Sequence, residues 1–358
     1  MQKRNNVEGL EKILAEINPI DEGMEKEAAR HQDCLTKPRG SLGRLEGIAC
    51  RVCAIRGTLH PSVLRKRIVL FAGDHGVTAE GVSLYPSDVT AQMVHNFVAK
   101  GAAINAIAGT VGAEVQVVDI GVNGDLSGID GIVHASIGRG TANIAQGPAM
   151  SVEQATEAVL TGVKIAAEAL SDNIELIGTG DMGIANTTPS AALYSALLNM
   201  PAAEFTGRGT GLGDEQLGHK VKVVERAMKV NKNRLTDPFS TLAALGGFEI
   251  AGLCGLIIGS ARHRIPVVVD GFISSAAALV AIRMKPDIAQ YCFFGHLSKE
   301  RGHALFMNKI GARPLLDLRM RLGEGTGAAM AMAVIEAAMA AHNNMATFES
   351  AGVSDKED

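Results

Sequence analysis

The sequence predicts an α/β protein in which a parallel β-sheet is flanked by helices. Five short runs rich in β-branched residues each end in glycine or an acid; they read RIVLFAGDHG, EVQVVDIGV, NIELIGTGD, PVVVDGF and YCFFGH. Alanine-rich stretches of helical character separate these runs, at positions 89–108, 151–170, 190–198 and 274–284. Strands that are apolar throughout and alternate with helices are typical of a parallel sheet covered on both faces.

The two ends of the chain are predicted to be helical. Leu10, Ile13, Leu14 and Ile17 follow a helical period with charged residues between them. The Ala- and Met-rich segment at 326–342 predicts a last helix that packs back on these N-terminal helices.

The longest apolar stretch lies in the middle of the chain. It runs from 242 to 261 and contains Glu249 and five glycines. It therefore predicts a buried helix or two short elements rather than a membrane span.

Composition and charge exclude several classes of function. A formal net charge of −4 argues against a nucleic-acid-binding surface. The N-terminus mixes Lys3, Arg4 and Glu8 without an apolar run, so we expect no secretory signal and a cytoplasmic protein. Five cysteines in 358 residues make no disulfide framework.

Neither cysteines nor histidines show metal-binding spacing. Cys50 and Cys53 form a C-x-x-C motif, but no second pair of ligands follows it. We therefore favour two small residues on one helix over a redox or metal site. The ten histidines show neither H-x-x-x-H nor E-x-x-H spacing, so the sequence predicts no metal site.

Polar residues follow the predicted strands directly. In parallel sheets, ligands bind beyond the carboxyl ends of the strands. The residues placed there are Asp74, His75, Asp119, Asp181, Asp270 and His296.

The stretch LIGTGDMGIANTT contains a G-x-G-x-x-G motif, made of Gly178, Gly180 and Gly183. A dinucleotide-binding site would also need an acid at the end of the next strand, about twenty residues on. Glu204 has this separation, but no β-branched run precedes it. Asp181 would also place a negative charge where a pyrophosphate approaches. A nicotinamide-dependent oxidoreductase therefore stands only as the alternative.

A second glycine cluster, FTGRGTGLGDEQLGHK at 205–220, precedes a helix-like segment. Backbone N–H groups at a helix start, with Arg208 and Lys220 close in sequence, suit a phosphate monoester. A flexible loop without a ligand is the other interpretation.

A third cluster, RLGEGTGAAMAMAVIE at 321–336, places Glu324 between Gly323 and Gly325. Glu324 could be a carboxylate favoured by the start of the following helix. Because glycines on both sides let a ligand approach closely, a partly desolvated general base is the second interpretation.

Taken together, the motifs resemble one family. KPRGSLGRLE, FAGDHGV, GVSLYPSDVTAQMV, GDMGIANTTPSAAL, TGRGTGL, VDGF and RLGEGTGAA occur in this order between about residues 20 and 340. In this combination the chain resembles the nicotinate-nucleotide–dimethylbenzimidazole phosphoribosyltransferases of cobalamin biosynthesis. The resemblance implies transfer of phosphoribose from nicotinate mononucleotide to 5,6-dimethylbenzimidazole, which gives α-ribazole 5′-phosphate and nicotinate.

The resemblance also implies an architecture and an assembly. We expect a homodimer with a Rossmann-like catalytic domain at 61–329 and a small helical domain formed by 1–60 and 330–358. No metal, redox cofactor, nucleic acid or membrane span is expected.

Residue roles follow from the same resemblance. Glu324 is expected to be the base that takes the N–H proton of the attacking azole. The expected acceptor pocket contains Ser83, Leu84, Tyr85, Gln92 and Leu322. The nucleotide is expected to contact Gly183, Thr187, Gly209, Lys220, Gly271 and Arg321, and the charge of Arg208 adds it to this set. Asp181 would be a second carboxylate that steadies positive charge developing on the ribose.

Two positions depart from the family pattern. Asp181 stands where the family more often has Glu, and Ala185 stands where it more often has Gly. The segment at 83–92 does not identify the acceptor, which could be another benzimidazole, a purine or a phenol. A subunit that binds the nucleotide without turnover is the non-enzymatic alternative.

Overall fold

A six-stranded parallel sheet forms the centre of the molecule. The computed structural model describes residues 2–209, 211 and 213–354. The strand order is β3-β2-β1-β4-β5-β6, and every neighbouring pair is parallel. This confirms the predicted α/β class, and the order is that of doubly wound nucleotide-binding folds. The strands are Lys66–Gly73 (β1), Ala113–Gly121 (β2), Ile132–His134 (β3), Leu176–Met182 (β4), Val267–Val269 (β5) and Cys292–Phe294 (β6).

Helices precede, connect and follow the strands. They are Gln2–Ala15 (α1), Glu22–Cys34 (α2), Arg44–Arg56 (α3), Asp88–Val98 (α4), Ala103–Thr110 (α5), Val152–Ser171 (α6), Thr187–Leu198 (α7), Ala202–Phe205 (α8), Asp214–Val230 (α9), Pro238–Leu245 (α10), Phe248–Arg262 (α11), Phe272–Met284 (α12), His303–Lys309 (α13), Thr326–Asn344 (α14) and Phe348–Ala351 (α15). None of them, within the described part of the chain, is long and apolar enough to cross a membrane.

The two faces of the sheet are covered by different helices. The side chains of Ile68 of β1 and Met332 of α14 both pack over Gly178 of β4. A methyl group added at Gly178 would overlap both of them. Phe71, three residues further along β1 and so on the other face, packs against Gly252 of α11. Burial on both faces explains why β1 is apolar over most of its length.

One predicted helix is divided in the structure. The helix expected at 89–108 is split into α4 and α5, because Lys100 takes a left-handed backbone (φ 60°) before Gly101. The apolar stretch at 242–261 forms two elements, one of the two alternatives predicted for it; Gly246 and Gly247 separate α10 from α11. β3, with only three residues, has no sequence signal strong enough to predict it.

The N-terminal helices and the end of the chain lie together. α3 packs against α14, and Leu35 forms an antiparallel bridge with Thr347. Cys50 and Cys53 lie buried on α3, where burial raises the pKa values of their thiols to about 11 and about 12. We propose that the N-terminal helices and the later turns of α14 form the small helical domain. Its limit at 329/330 then falls inside α14, which begins at the sheet.

Glycines allow α6 and α11 to touch backbone to backbone, and Gly255 is the tightest point. A methyl group there would overlap the carbonyl oxygen of Val159. We expect Gly255→Ala to lower the free energy of unfolding by about 3 kcal/mol, because neither backbone can move without repacking both helices. Gly218→Ala on α9 is the control, since nothing lies within 4 Å of its added methyl group. It should leave the melting temperature unchanged or raise it; equal melting temperatures for both variants would contradict this packing.

Candidate active site

A cavity of about 570 Å³ opens beyond the carboxyl ends of β4, β5 and β6. Its wall includes three of the strand-end residues predicted from the sequence, namely Asp181, Asp270 and His296. Asp74 and His75 follow β1, and Asp119 lies near the end of β2, but all three are buried and none of them lines the cavity. The site therefore lies where strand order and sheet geometry place ligands in such folds.

Most of the residues expected from the family resemblance line this cavity. They are Ser83, Tyr85, Asp181, Gly183, Thr187, Gly209, Lys220, Gly271, Arg321, Leu322 and Glu324. They come from several separate stretches of the chain, so the fold brings five of the seven quoted motifs together around one space, while KPRGSLGRLE and FAGDHGV contribute no lining residue.

Three expected residues lie outside the lining. Leu84 is exposed beside Ser83 and Tyr85. Gln92 is exposed on α4, although Val89 and Met93 of the same helix line the cavity. Arg208 donates to the carboxylate of Asp214 in the first turn of α9 and is about half exposed. Their contacts with substrate stay predictions.

Glu324 is a buried carboxyl on a strained turn. Its φ of 61° is left-handed, as are those of Gly323 and Gly325 on either side, and a non-glycine residue in this region costs about 1–2 kcal/mol. Its Oε2 accepts a hydrogen bond from the backbone N–H of Ile104 at the start of α5, at 3.2 Å. Burial, with Asp270 adding repulsion, raises the pKa of Glu324, while the Ile104 N–H opposes the shift.

The G-x-G-x-x-G motif serves to bring this turn close to the sheet. Gly178 and Gly180 lie inside β4, not in a loop after it. A methyl group at Gly180 would lie 2.8 Å from the carbonyl oxygen of Glu324, and one at Gly178 would meet Ile68 and Met332. A methyl group at Gly183 would overlap the carbonyl oxygen of Gly73, an even closer approach. These glycines are needed for packing, which leaves no glycine loop for a dinucleotide pyrophosphate here.

Two further carboxyl groups face the same region as Glu324. Asp181 is buried, and Asn186 Nδ2 donates to its Oδ2 at 3.0 Å. Burial, with Asp270, Glu249 and Glu324 adding repulsion, raises the pKa of Asp181 well above its usual value.

The side chain of Asp270 is held by a hydrogen bond from the first turn of α14. Its Oδ1 accepts from the N–H of Ala328 at 2.9 Å, and its Oδ2 is buried without a partner among the described residues. Burial raises the pKa of Asp270, while His296 and backbone N–H groups lower it. Together with Asp181 and Glu324 it forms an acidic end of the cavity, which favours a ligand with positive charge.

Lys220 and Arg321 provide positive charge at another part of the cavity wall. Its Nζ donates to Thr187 Oγ1 at 2.6 Å, next to the start of α7, and Arg321 donates to the carbonyl of Gly209 at 3.0 Å. Burial lowers the pKa of Lys220 to about 8, and the nearby Glu300 carboxyl opposes the shift. Two cations beside a helix N-terminus suit a phosphate group.

A buried ion pair supports the loop between β4 and α7. His75 Nε2 and Glu249 Oε1 are 2.7 Å apart, and both side chains are buried. Burial lowers the pKa of His75, but the Glu249 carboxylate outweighs this and raises it overall. The ring lies against Gly183, where a methyl group would be 3.2 Å from Nε2. The pair therefore supports the loop between β4 and α7 through the contact of His75 with Gly183.

Ala185 in this loop has a strained backbone conformation. Its φ is 71°, in the left-handed region that glycine adopts without cost. We expect Ala185→Gly to raise the free energy of unfolding by about 0.5–1 kcal/mol, because relieved strain exceeds the added entropy of the unfolded chain. Ala196→Gly inside α7 is the control and should lower stability by about 1 kcal/mol. Thermal unfolding of the two variants checks this, and a lower melting temperature for Ala185→Gly would contradict it.

Some residues of the site were not assigned a role from the sequence. Asn186 lies within the quoted GDMGIANTTPSAAL motif but was given no role, and Glu300 lies outside all the quoted motifs; the contacts of both come from the folded arrangement of the loops. Asp270 and His296 both follow a predicted strand directly, and Asp270 also lies in the quoted VDGF motif. Glu249 stood out as the acid of an apolar stretch, and only the fold shows its pairing with His75.

Comparison with known proteins gives consistent matches over nearly the whole chain. The model of a family described as phosphoribosyltransferase matches residues 17–353. A protein of Chlorobaculum tepidum named nicotinate-nucleotide–dimethylbenzimidazole phosphoribosyltransferase is 54% identical over 348 residues, which cover 97% of this chain and 99% of that protein. A protein of the same name from Geobacter sulfurreducens is 50% identical over 346 residues, with 97% and 98% covered.

Solved structures agree with the sequence relatives. The crystal structure of CobT from Thermus thermophilus superposes with a TM-score of 0.89 at 43% identity, covering 93% of this chain and all of that one. A second structure from the same organism, titled as the dimethylbenzimidazole phosphoribosyltransferase, gives 0.88 at 43% identity, covering 94% and 100%.

Proposed function

The chain belongs to the phosphoribosyltransferase family whose members include the nicotinate-nucleotide–dimethylbenzimidazole enzymes, and from this we propose how its cavity carries out the transfer. The protein moves phosphoribose from nicotinate mononucleotide to 5,6-dimethylbenzimidazole. It thereby supplies the lower-ligand nucleotide of cobalamin as α-ribazole 5′-phosphate.

The observation that carries the proposal is the division of charge in the cavity. Asp181, Asp270 and Glu324 make one part acidic, while Lys220 and Arg321 are the cations near Thr187. Nicotinate mononucleotide has a cationic ring nitrogen at C1′ and an anionic phosphate at C5′. The phosphate therefore binds Lys220 and Arg321, and C1′ lies among the carboxyl groups.

The chemical step needs one proton acceptor from the protein. A ring nitrogen of the benzimidazole attacks C1′ from the face opposite the pyridinium. The C1′–N bond breaks, and its electron pair neutralises the departing ring nitrogen, so the leaving group needs no acid. The other benzimidazole nitrogen must lose its proton, which Glu324 accepts. Attack from the opposite face converts the β linkage into an α linkage.

Asp181 acts on the ribose. In the free protein, burial and the neighbouring carboxyl groups of Asp270 and Glu249 raise its pKa. A bound pyridinium or a ribosyl carbon that develops positive charge favours the anion, because an adjacent positive charge lowers the pKa of a carboxyl group. As a carboxylate, Asp181 would stabilise the positive charge that develops on the ribose in the transition state.

The working form of the protein is proposed to be a homodimer in the cytoplasm. The dimer rests on the family resemblance. The cytoplasm is favoured by the five unpaired cysteines, because reduced thiols are typical of that compartment. Light scattering on the purified chain measures the mass of the assembly; a monomer under assay conditions would contradict the dimer.

Turnover with a panel of acceptors tests the function. The purified protein is incubated with nicotinate mononucleotide and 5,6-dimethylbenzimidazole, adenine or a phenol, and ribosylated products are separated and identified by mass. We expect the benzimidazole to give the highest kcat/KM. A higher kcat/KM with adenine or the phenol would support phosphoribosyl transfer but identify a different acceptor. Binding of the nucleotide without any product would favour the non-enzymatic alternative.

A further inference from the structure

We propose that His31, His60 and His342 bind a zinc ion outside the active site. Among the described residues, one ring nitrogen from each of the three side chains lies within 4.8 Å of the others. The ligands come from α2, from the loop after α3 and from α14. No spacing rule within one element could have found them, and the reaction proposed above does not use them.

The arrangement of the rings fits a tetrahedral ion. With zinc–nitrogen bonds of about 2.0 Å, two imidazole ligands have ring centres about 5.2 Å apart. The centres of His31 and His60 are 5.0 Å apart, those of His31 and His342 4.6 Å, and those of His60 and His342 5.8 Å. Movements of about 1 Å would bring the three nitrogens to the roughly 3.3 Å separation of zinc ligands.

Each imidazole also has an oxygen available for its second nitrogen, as metal-binding histidines usually do. His31 Nε2 lies 2.9 Å from the carbonyl oxygen of His342, and His60 Nδ1 lies 3.4 Å from Asn343 Oδ1. These contacts leave Nδ1 of His31 and Nε2 of His60 for the ion.

Gln32 provides the third oxygen. Its Nε2 lies 2.8 Å from His342 Nδ1, while its Oε1 is buried without a hydrogen-bond partner among the described residues. A half-turn of the carboxamide satisfies this oxygen with the Nδ1–H of His342. The Nε2 of His342 then becomes a ligand and gives up its hydrogen bond to the Leu59 carbonyl, now 2.9 Å away.

Ligand type and access favour a zinc ion as well. Three imidazoles suit zinc better than magnesium or calcium. His60 is exposed, so the ion and a water as fourth ligand can reach the site. The buried Cys53 Sγ lies 3.5 Å from His342 Nε2.

An ion here would connect both ends of the chain. α2 and the loop after α3 would be tied to α14, which begins beside Glu324. The three histidines come together only in the folded chain. Zinc should therefore raise the free energy of unfolding, and by more as its concentration exceeds its Kd.

The test uses the untagged, chelator-treated full chain, and its readouts do not depend on turnover. Isothermal titration should give one zinc ion per chain. Zinc at 100 times its Kd should raise the melting temperature by about 4 °C. Cobalt should give the absorption of a tetrahedral ion, which zinc then abolishes.

Variants separate this site from other zinc binding. His60→Ala, which changes an exposed side chain, should fold and lose at least tenfold in zinc affinity together with the cobalt absorption. His31→Ala should do the same, while His134→Ala, an exposed histidine on β3, should bind zinc like the wild type. The proposal is overturned by a wild type that binds no zinc. It is equally overturned by a His60→Ala variant whose zinc affinity and melting shift equal those of the wild type.

Discussion

Glu324→Gln is expected to lower kcat for phosphoribosyl transfer by about 10²–10⁴-fold, the range of a positioned general base. The amide keeps the size of the side chain and can still accept the Ile104 N–H bond, but it cannot take the azole proton. Binding of nicotinate mononucleotide should change little, because Lys220 and Arg321 hold the phosphate. Single-turnover rates with both substrates saturating measure the effect.

A second carboxyl of the same cavity provides the control. Glu300 lies by Lys220 and Arg321, not at the acidic end, so Glu300→Gln should alter the KM for the nucleotide more than kcat. If Glu324→Gln transferred phosphoribose at the wild-type rate, another group would be the base.

The same residue sets the acid side of the pH profile. Glu324 must be ionised to act, and burial with repulsion from Asp270 raises its pKa. kcat/KM should therefore be full above this raised pKa and fall as the pH drops through it. In any residual activity of Glu324→Gln this acid limb should be missing; an unchanged limb would assign it to a different group.

Lys220→Met is expected to raise the KM for nicotinate mononucleotide by about 10²-fold, equivalent to about 2.7 kcal/mol. The buried ammonium is the fixed cation beside Thr187, and methionine fills similar space without charge. Because the phosphate is remote from C1′, kcat should change less than KM. Lys222→Met, an exposed lysine of the same helix, is the matched control and should leave KM unchanged.

Lys220 also predicts an alkaline limit. Its pKa in the free protein is about 8, lowered by burial, so the charged form is lost as the pH rises through this value. kcat/KM for the nucleotide should fall above about pH 8, and Lys222→Met should show the same fall. A profile that stays flat up to roughly 1.5 pH units above this pKa, or equal KM values for Lys220→Met and wild type, would remove Lys220 from the phosphate site.

The sequence predicted the sheet because its strands carry a strong local signal. The runs around Ile68, Val117 and Val268 are continuous and apolar, as strands buried on both faces must be. Glu324 could be recognised because the two glycines beside it are a local feature, and its interpretation as a base came from the resemblance to a family.

Contacts between distant segments could not be predicted in this way. The bond from Ile104 N–H to Glu324 joins residues 220 positions apart, and the pairing of His75 with Glu249 spans 174. The G-x-G-x-x-G motif was ambiguous for the same reason, because only the packing of Gly180 under Glu324 shows what the glycines do. Gln92 and Arg208 came from resemblance and charge, and neither indicates which way a side chain points.

The anomeric configuration of the product tests the central claim most directly. The purified protein converts β-nicotinate mononucleotide and 5,6-dimethylbenzimidazole, and proton NMR assigns the linkage at C1′ while released nicotinate is counted. Direct attack with Glu324 as base predicts the α-linked ribazole phosphate and one nicotinate per product. A β-linked product would mean two displacements through a ribosyl-enzyme, with a carboxylate such as Asp181 as nucleophile, and would contradict the account.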